Sequence, residues 1–183
     1  MAASDRERWN TKYREEEAIS QPSSFLAALA GLLPWQGRAL DVAGGSGRNA
    51  LWLLRRGLQV TIADISEVAL QRAALAAPGL QTVRLDLENE PLPAGPWDLI
   101  LCSHFLHRPL FARCPGLLAP GGCLVIAHPT VSNLQKHPRP GRQFLLEDGE
   151  LPSLISGLDV LLYEEGWADS GRHEAHLLAR KPP

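Results

Sequence analysis

Three glycines placed between two acidic residues form the part of the chain best suited to chemistry. Gly44, Gly45 and Gly47 follow an apolar segment that carries Asp41, and Asp64 ends the next apolar segment. Glycines allow a tight turn with no Cβ atom in the way of a ligand. A ligand along that turn meets backbone N–H groups, the positive end of a helix and a carboxylate able to hold ribose hydroxyls. The pattern therefore indicates a site for a nucleotide-type cofactor, and a βαβ turn without a cofactor is the alternative.

Two strands and one helix must position these residues. Residues 39–43 are a candidate buried parallel strand, and residues 60–63 are the next strand. Ser46 is a candidate N-cap for a helix that begins near Arg48, and Gly57 is expected to end that helix in the left-handed conformation. The acids then stand inside the first strand and just after the second.

The other helices and strands follow from apolar periodicity and turn signals. Ser4-x-x-Glu7 is a capping box that predicts a helix over residues 5–17. Five βα-type repeats followed by two strands imply an α/β fold with helices on both faces of a seven-stranded, mostly parallel sheet with one antiparallel strand. The remaining predicted elements are helices over 23–33, 66–77, 108–118 and 147–156, strands over 81–85, 97–102, 123–127, 158–164 and 174–180, and a loop over 129–143.

Composition points to an ordinary globular domain. The 183 residues predict one domain, 1–183, with N-terminal helices in 1–33 and a Rossmann-like core in 38–181. A net charge of −2 gives no overall attraction to nucleic acid or to an anionic membrane. The beginning of the chain has no leader pattern, and its three cysteines lack C-x-x-C spacing, so we expect reduced thiols and a cytoplasmic location. Composition gives no oligomeric state.

Asp41 distinguishes between two kinds of cofactor. Gly45-x-Gly47-x-x-Ala50 also fits a dinucleotide fingerprint, so an NAD(P)-dependent oxidoreductase is one alternative. A carboxylate three residues before the glycines would face the pyrophosphate of such a cofactor, but it suits a ligand with a cationic amino group. The Asp-x-x-Gly-Gly-x-Gly string resembles motif I of the class I S-adenosylmethionine-dependent methyltransferases.

The resemblance implies a Rossmann-like methyltransferase fold, S-adenosyl-L-methionine as cofactor and S-adenosyl-L-homocysteine as product. It implies that Asp64 binds the ribose and that Asp86, after the third strand, contacts the adenine amino group. Ile65 and Leu87 would lie against the adenine ring. The full set of predicted cofactor-binding residues is Trp9, Tyr13, Asp41, Ala43, Gly44, Gly45, Gly47, Asn49, Asp64, Ile65, Asp86, Leu87 and Ser103.

Scattered segments are closest to the tellurite-resistance-type methyltransferases. The Gly-Arg-Asn stretch at 47–49 and the segment Phe144-Leu145-Leu146 resemble that group, and Trp9-Asn10-x-x-Tyr13 is similar to its opening helix, which folds over the cofactor. In that group His and Arg in the loop between the last two strands help hold an oxyanion. Arg172 and His173 match that loop in residue type, and a basic segment after the fifth strand adds Arg142 as the third predicted substrate-binding residue.

Methyl transfer from a sulfonium mainly requires alignment of the acceptor and exclusion of water. An acceptor of high pKa also needs a general base. His104 is the preferred candidate, because the residues after the fourth strand face the methyl group in this family; His128 is the second candidate, and His107 is a third. The spacing of histidines and acids indicates no metal site.

We therefore expect methyl transfer to a small, anionic molecule. An RNA or protein methyltransferase is an alternative, although the acidic charge balance and the lack of an appended binding domain weigh against it. A non-catalytic cofactor-binding subunit is the remaining alternative, against which the intact acids and glycines argue.

Overall fold

A computed structural model describes residues 2–183, in which a seven-stranded sheet is flanked by short helices. Short 3₁₀ helices lie at Val131–Gln135, Arg142–Phe144 and Leu151–Leu154. No helix among residues 2–183 is long and apolar enough to cross a membrane. In chain order the elements are α1 (Ala2–Glu15), α2 (Ser24–Ala28), β1 (Arg38–Val42), α3 (Arg48–Arg55), β2 (Gln59–Asp64), α4 (Glu67–Ala76), β3 (Gln81–Arg84), β4 (Trp97–Ser103), α5 (Arg108–Phe111), α6 (Cys114–Leu117), β5 (Leu118–Pro129), β6 (Asp159–Trp167) and β7 (His173–Arg180).

The strand order is β3-β2-β1-β4-β5-β7-β6, and β7 alone among the strands of residues 2–183 runs antiparallel to its neighbours. This confirms the predicted mostly parallel sheet with one antiparallel strand. The chain moves outward from β1 to β3 and then returns to β4 on the other side of β1. Such a reversal leaves a crevice at the carboxyl ends of the central strands, where open α/β sheets bind their ligands.

The central strands bury side chains on both faces because helices and loops cover each face. Leu53 of α3 belongs to the apolar cluster on one face, and Phe111 of α5 belongs to the cluster on the other. Successive side chains of β1 alternate between them: Ala39 joins the α3 side, and Leu40 the α5 side. A strand that is buried from Ala39 to Val42 therefore holds the glycine turn in a fixed position.

The N-terminal helical predictions were only partly right. Helix α1 begins at Ala2, so Ser4 lies inside it and the predicted capping box does not mark its start. Helix α2 ends at Ala28 rather than at residue 33. The helix predicted over 108–118 is two short helices, with Pro115 in the first turn of α6. Proline has no N–H to donate and blocks an uninterrupted helix there.

The helix predicted over 147–156 is wrong. Only a 3₁₀ turn forms, at Leu151–Leu154. Gly149 has a φ of +77°, a left-handed conformation that ends helical geometry, and Pro152 removes a backbone donor. The segment is held instead by Arg108, whose guanidinium binds both oxygens of Glu150 at 2.5 and 2.8 Å.

Candidate functional site

The backbone of the turn after β1 takes left-handed conformations, which favour glycine. Ala43, Gly45 and Gly47 have φ values of +54°, +55° and +90°. A Cβ atom at position 47 would stand 3.1 Å from both Ala73 Cβ and Ile62 Cδ1. Gly47 is the N-cap residue of α3 and no side chain bonds to the cap, so the prediction that Ser46 caps this helix was wrong. A left-handed alanine stores strain of a kind that clusters at functional sites.

The carboxylate of Asp64 joins the glycine turn to the end of β2. Its Oδ2 accepts from the N–H of Gly45 at 2.9 Å, and its Oδ1 accepts from the N–H of Ser66 at 2.8 Å. Burial raises the pKa of Asp64, while these backbone bonds act against the rise. The predicted ribose ligand is therefore also a structural part of the crevice.

Asp41 lies beneath the same turn as a buried acid without a bonding partner. Its side chain is 1% exposed, and neither carboxylate oxygen has a hydrogen-bond partner within residues 2–183. Burial raises the pKa of Asp41 to about 7, despite the nearby charge of Arg48. An unpartnered buried carboxylate is unfavourable, and a cationic group in the crevice would relieve it. The amino group of S-adenosylmethionine fits this need.

Helix α1 lies across the glycine turn. The hydroxyl of Tyr13 is the nearest atom to the position that a Cβ on Gly45 would take, and the ring of Tyr13 stacks on Trp9 with centroids 6.0 Å apart. Asn10 anchors the helix: its Oδ1 accepts from the Ser66 hydroxyl at 2.7 Å. Sequence reasoning missed Asn10, although it stands inside the quoted Trp9-Asn10-x-x-Tyr13 motif.

Other residues predicted to bind the cofactor lie in separate segments, after β3, after β2 and in α3. Asp86 caps the turn after β3, with its oxygens accepting from Glu88 N at 3.1 Å and Asn89 Nδ2 at 2.8 Å. Leu87 is buried beside this turn, while Ile65 is half-buried after β2. Asn49 is buried and faces the N-terminal segment, because its Oδ1 accepts from the N–H of Ser23 at 2.9 Å. That bond gives Asn49 a structural role the sequence analysis did not anticipate.

His104 lies at the end of β4 in a strained conformation. Its φ is +60°, which is rare for a residue with a side chain. Nδ1 is 3.0 Å from Ser103 Oγ and 3.3 Å from Arg48 Nη2, and Nε2 is 3.0 Å from Glu174 Oε1. The imidazole is thus held between the glycine-turn helix and β7.

Glu174 was missed because nothing in the local pattern connects residues 70 positions apart. It is 6% exposed and holds a second histidine: its Oε2 lies 3.0 Å from His176 Nε2. The Nδ1 of His176 in turn lies 3.2 Å from Glu164 Oε1, and Phe25 stacks on the ring. Burial alone would raise the pKa of Glu174, but the bonds to the two histidines hold it well below its usual range.

The other histidine candidates have structural partners. His128 is 4% exposed and its Nε2 donates to the carbonyl of Phe144 at 2.9 Å. Burial lowers the pKa of His128 to about 4, so it stays neutral at physiological pH. The Nδ1 of His107 donates to the carbonyl of Leu87 at 3.1 Å. Of the three, only His104 faces the glycine-turn helix with a side-chain contact among the described residues.

The predicted substrate residues are not brought together. Arg142 is exposed and pairs with Glu147 at 2.6 Å. The Nδ1 of His173 lies 2.8 Å from Thr130 Oγ1. Arg172, in the exposed β6–β7 loop, lies within electrostatic range of α1.

Arg48 and Arg172 both lie within electrostatic range of Lys12. Burial lowers the pKa of Lys12, and the charges of Arg172 and Arg48 lower it further against the opposing effect of Glu16. The three cations come from α1, the β6–β7 loop and the start of α3. Within residues 2–183 no ion pair is formed by Lys12, Arg48 or Arg172.

One group of possible metal ligands is present, although the sequence spacing indicated no metal site. Asp148, Glu165 and His173 lie with their ligand atoms within 4.8 Å of one another, the one such group found among residues 2–183. Both acids already accept hydrogen bonds, Asp148 from the Ser132 hydroxyl and Glu165 from the N–H of Gly149. Sequence spacing could not show this group, because three separate loops and strands contribute to it.

Fold and site together define a class of protein. A glycine turn lies between two strand-associated acids, at the reversal point of a sheet whose seventh strand is antiparallel, and this is the class I methyltransferase architecture. Residues 39–122 match a family model described as a methyltransferase domain. No curated protein matches the sequence.

Solved structures of methyltransferases share this fold at low identity. An S-adenosylmethionine-dependent methyltransferase from Mesorhizobium loti is 23% identical, with a TM-score of 0.71 over 85% of this chain and 96% of that one. TehB from Haemophilus influenzae is 22% identical, with a TM-score of 0.72 over 96% of this chain and 66% of that chain. Magnesium protoporphyrin IX methyltransferase from Synechocystis PCC 6803, with bound SAH, is 15% identical. Its TM-score is 0.74 over 98% of this chain and 99% of that chain. The chain therefore has the class I methyltransferase fold, which it shares with these S-adenosylmethionine-dependent methyltransferases.

Proposed function

We propose that the enzyme methylates a small molecule that carries a negative charge. The observation that carries this proposal is the group Lys12, Arg48 and Arg172, three cations that border the crevice without an ion-pair partner in the described chain. Cations left unpaired by the protein repel one another, and an anionic ligand among them relieves this repulsion. A carboxylate, phosphate or other oxyanion on the acceptor fits that position.

The proposed cofactor site uses the residues around the glycine turn. Asp41 would bind the amino group, the turn from Ala43 to Gly47 would face the methionine part and the ribose, and Asp64 would hold the ribose hydroxyls. The adenine would lie near Ile65, Asp86 and Leu87. Trp9 and Tyr13 of α1 would cover the cofactor, with Ser103 at its reactive end.

S-adenosylmethionine supplies an activated methyl group on a sulfonium. The protein's part is to align the acceptor, exclude water and remove a proton where the acceptor carries one. His104 is the proposed base, since it stands beside Arg48 at the carboxyl end of β4. His128 is not proposed in this role, because burial keeps its pKa at about 4.

Binding and activity measurements test the proposal in two steps. Calorimetry should show binding of S-adenosylhomocysteine and none of NAD or NADP. Methyl transfer should then be measured on pairs of small acceptors that differ only in a carboxylate or its neutral amide. A preference for the anionic member of each pair supports the proposal, whereas a preference for RNA or protein overturns it. Binding without any transfer would indicate a cofactor-binding subunit.

Charge-removing variants provide a sharper test. Lys12→Ala and Arg172→Ala should each raise KM for an anionic acceptor about tenfold, on the scale of one charge-assisted hydrogen bond, and should leave KM for its amide unchanged. Arg142→Ala is the matched control, because Arg142 already pairs with Glu147. Equal effects of all three variants would contradict the assigned anion position.

We also propose a cytoplasmic location. The three cysteines of the chain are buried free thiols, which suits a reducing compartment.

A further inference from the structure

A buried carboxylate lies between two histidines on the side of the crevice away from the glycine turn. Glu174 uses one oxygen for His104 and the other for His176, each at 3.0 Å. The chain of contacts continues through His176 Nδ1 to Glu164, whose side chain is 61% exposed. A cleft of about 400 Å³ borders this network and is lined in part by Phe25, Glu164 and His176.

The partners of His104 determine which of its ring nitrogens carries the proton. The guanidinium of Arg48 can only donate, so the Nδ1 it contacts has to be an acceptor. A neutral imidazole then carries its proton on Nε2, where it donates to Glu174. Because the proton on Nε2 is held by its hydrogen bond to Glu174, the lone pair of the ring lies on Nδ1. That lone pair lies between Arg48 and Ser103, beside the glycine-turn helix.

We propose that Glu174 is a positioning residue that holds His104 with its Nδ1 lone pair toward the acceptor, and that His176 holds Glu174 in place. The acceptor class that follows has an ionisable O–H, N–H or S–H at the methylated atom. This inference rests on the proposed function, since it assumes that His104 acts as the base.

The proton balance is simple. The acceptor atom would form a bond to the methyl group while the bond from that methyl group to the sulfonium sulfur breaks and leaves its electron pair on the sulfur. The acceptor's proton would pass to Nδ1 of His104, which becomes an imidazolium with Nε2–H still bonded to Glu174. The Ser103 hydroxyl and the Arg48 guanidinium both contact Nδ1 in the free protein, so both have to turn away from it before it takes the proton. The negative charge of Glu174 favours this imidazolium, while the positive charge of Arg48 opposes it. Solvent removes the proton after the product leaves.

Nuclear magnetic resonance of the histidine rings tests this assignment without an acceptor. Long-range ¹H–¹⁵N spectra of the S-adenosylhomocysteine complex should show His104 with its proton on Nε2 in the wild-type protein. Glu174→Gln has one acceptor oxygen for two histidines, so His104 should become a mixture of both tautomers.

Two variants of His176 separate positioning from general packing. His176→Gln keeps an N–H donor toward Glu174 and should leave the His104 tautomer as in the wild type. His176→Leu keeps an apolar side chain against Phe25 but has no donor, and should shift His104 as Glu174→Gln does. An unchanged tautomer in Glu174→Gln, or equal shifts in both His176 variants, would overturn the proposal.

Cofactor binding distinguishes this failure from a failure of the proposed function. All three variants should bind S-adenosylhomocysteine as the wild type does, because none of the substituted residues belongs to the proposed cofactor site. A wild type that keeps the Nε2–H tautomer but methylates no anionic acceptor would reject the proposed function alone.

Discussion

The backbone N–H of Gly45 donates to the carboxylate of Asp64 across 2.9 Å, so the glycine turn and the end of the second strand form one hydrogen-bonded unit. The same carboxylate also accepts from Ser66, which caps α4 through its hydroxyl bond to the N–H of Ala69 at 3.1 Å. Changes at Asp64 should therefore affect both ligand binding and the integrity of the crevice.

Asp64→Ala should lower the free energy of unfolding by about 1–3 kcal/mol, because two backbone N–H groups lose their acceptor. It should also weaken S-adenosylhomocysteine binding at least tenfold. Urea unfolding and calorimetry measure the two effects. Asp86→Ala is the comparison, because Asp86 accepts hydrogen bonds only within a half-exposed turn. This variant should lose less stability and less affinity for S-adenosylhomocysteine than Asp64→Ala. Stronger losses in Asp86→Ala would place the ribose elsewhere.

Asp41 should link cofactor binding to proton release. The pKa of Asp41 is raised from 3.8 to about 7, so the folded protein binds more protons than the unfolded chain between these values. The contribution of Asp41 to stability therefore falls as pH rises from about 4 to about 7. A bound ammonium group favours the carboxylate, so binding near pH 6 should release up to one proton, detectable by calorimetry in buffers of different ionisation enthalpy.

Asp41→Asn is the control for this linkage. The amide cannot titrate, so the variant should bind S-adenosylhomocysteine more weakly, release no such proton and show a flatter dependence of stability on pH. Proton release equal to that of the wild type would assign the titration to another group.

Gly45→Ala should damage the site through a steric effect. Both Gly45 and Gly121 have positive φ, at +55° and +75°, so alanine at either position costs about 1 kcal/mol of backbone strain. Only the added methyl at Gly45 meets a neighbour, the hydroxyl of Tyr13, whereas nothing lies within 4 Å at Gly121. Gly45→Ala should therefore lose affinity for S-adenosylhomocysteine, and Gly121→Ala should keep it. Similar affinities would show that the turn does not approach the cofactor.

Helix α1 should become more protected when the cofactor binds. Its described side chains are mostly exposed, and its anchors to the core include Asn10 and Tyr13. Segments with few buried contacts open easily and become ordered when a ligand supplies more. Hydrogen exchange of residues 5–20 should slow on addition of S-adenosylhomocysteine. Full protection in the free protein would mean that α1 is a permanent structural layer.

Short-range patterns predicted the sheet well and the late helices poorly. Buried parallel strands are rich in apolar residues on both faces, so β1, β2, β4 and β5 were evident from local apolar runs. The segment after residue 146 has helical spacing, but Gly149 and Pro152 prevent a helix and the Arg108–Glu150 bond holds it in another form.

The sequence by itself predicted the methyltransferase fold, because the glycines, Asp41 and Asp64 lie within 24 residues and belong to one strand–turn–helix–strand unit. Tertiary structure alone decided the partners of His104 and Lys12. Glu174 reaches His104 only because β7 inserts antiparallel between β5 and β6, and Arg172 comes within electrostatic range of Lys12 only through the folding of distant segments. Contacts between distant segments depend on chain topology, for which local spacing carries no signal.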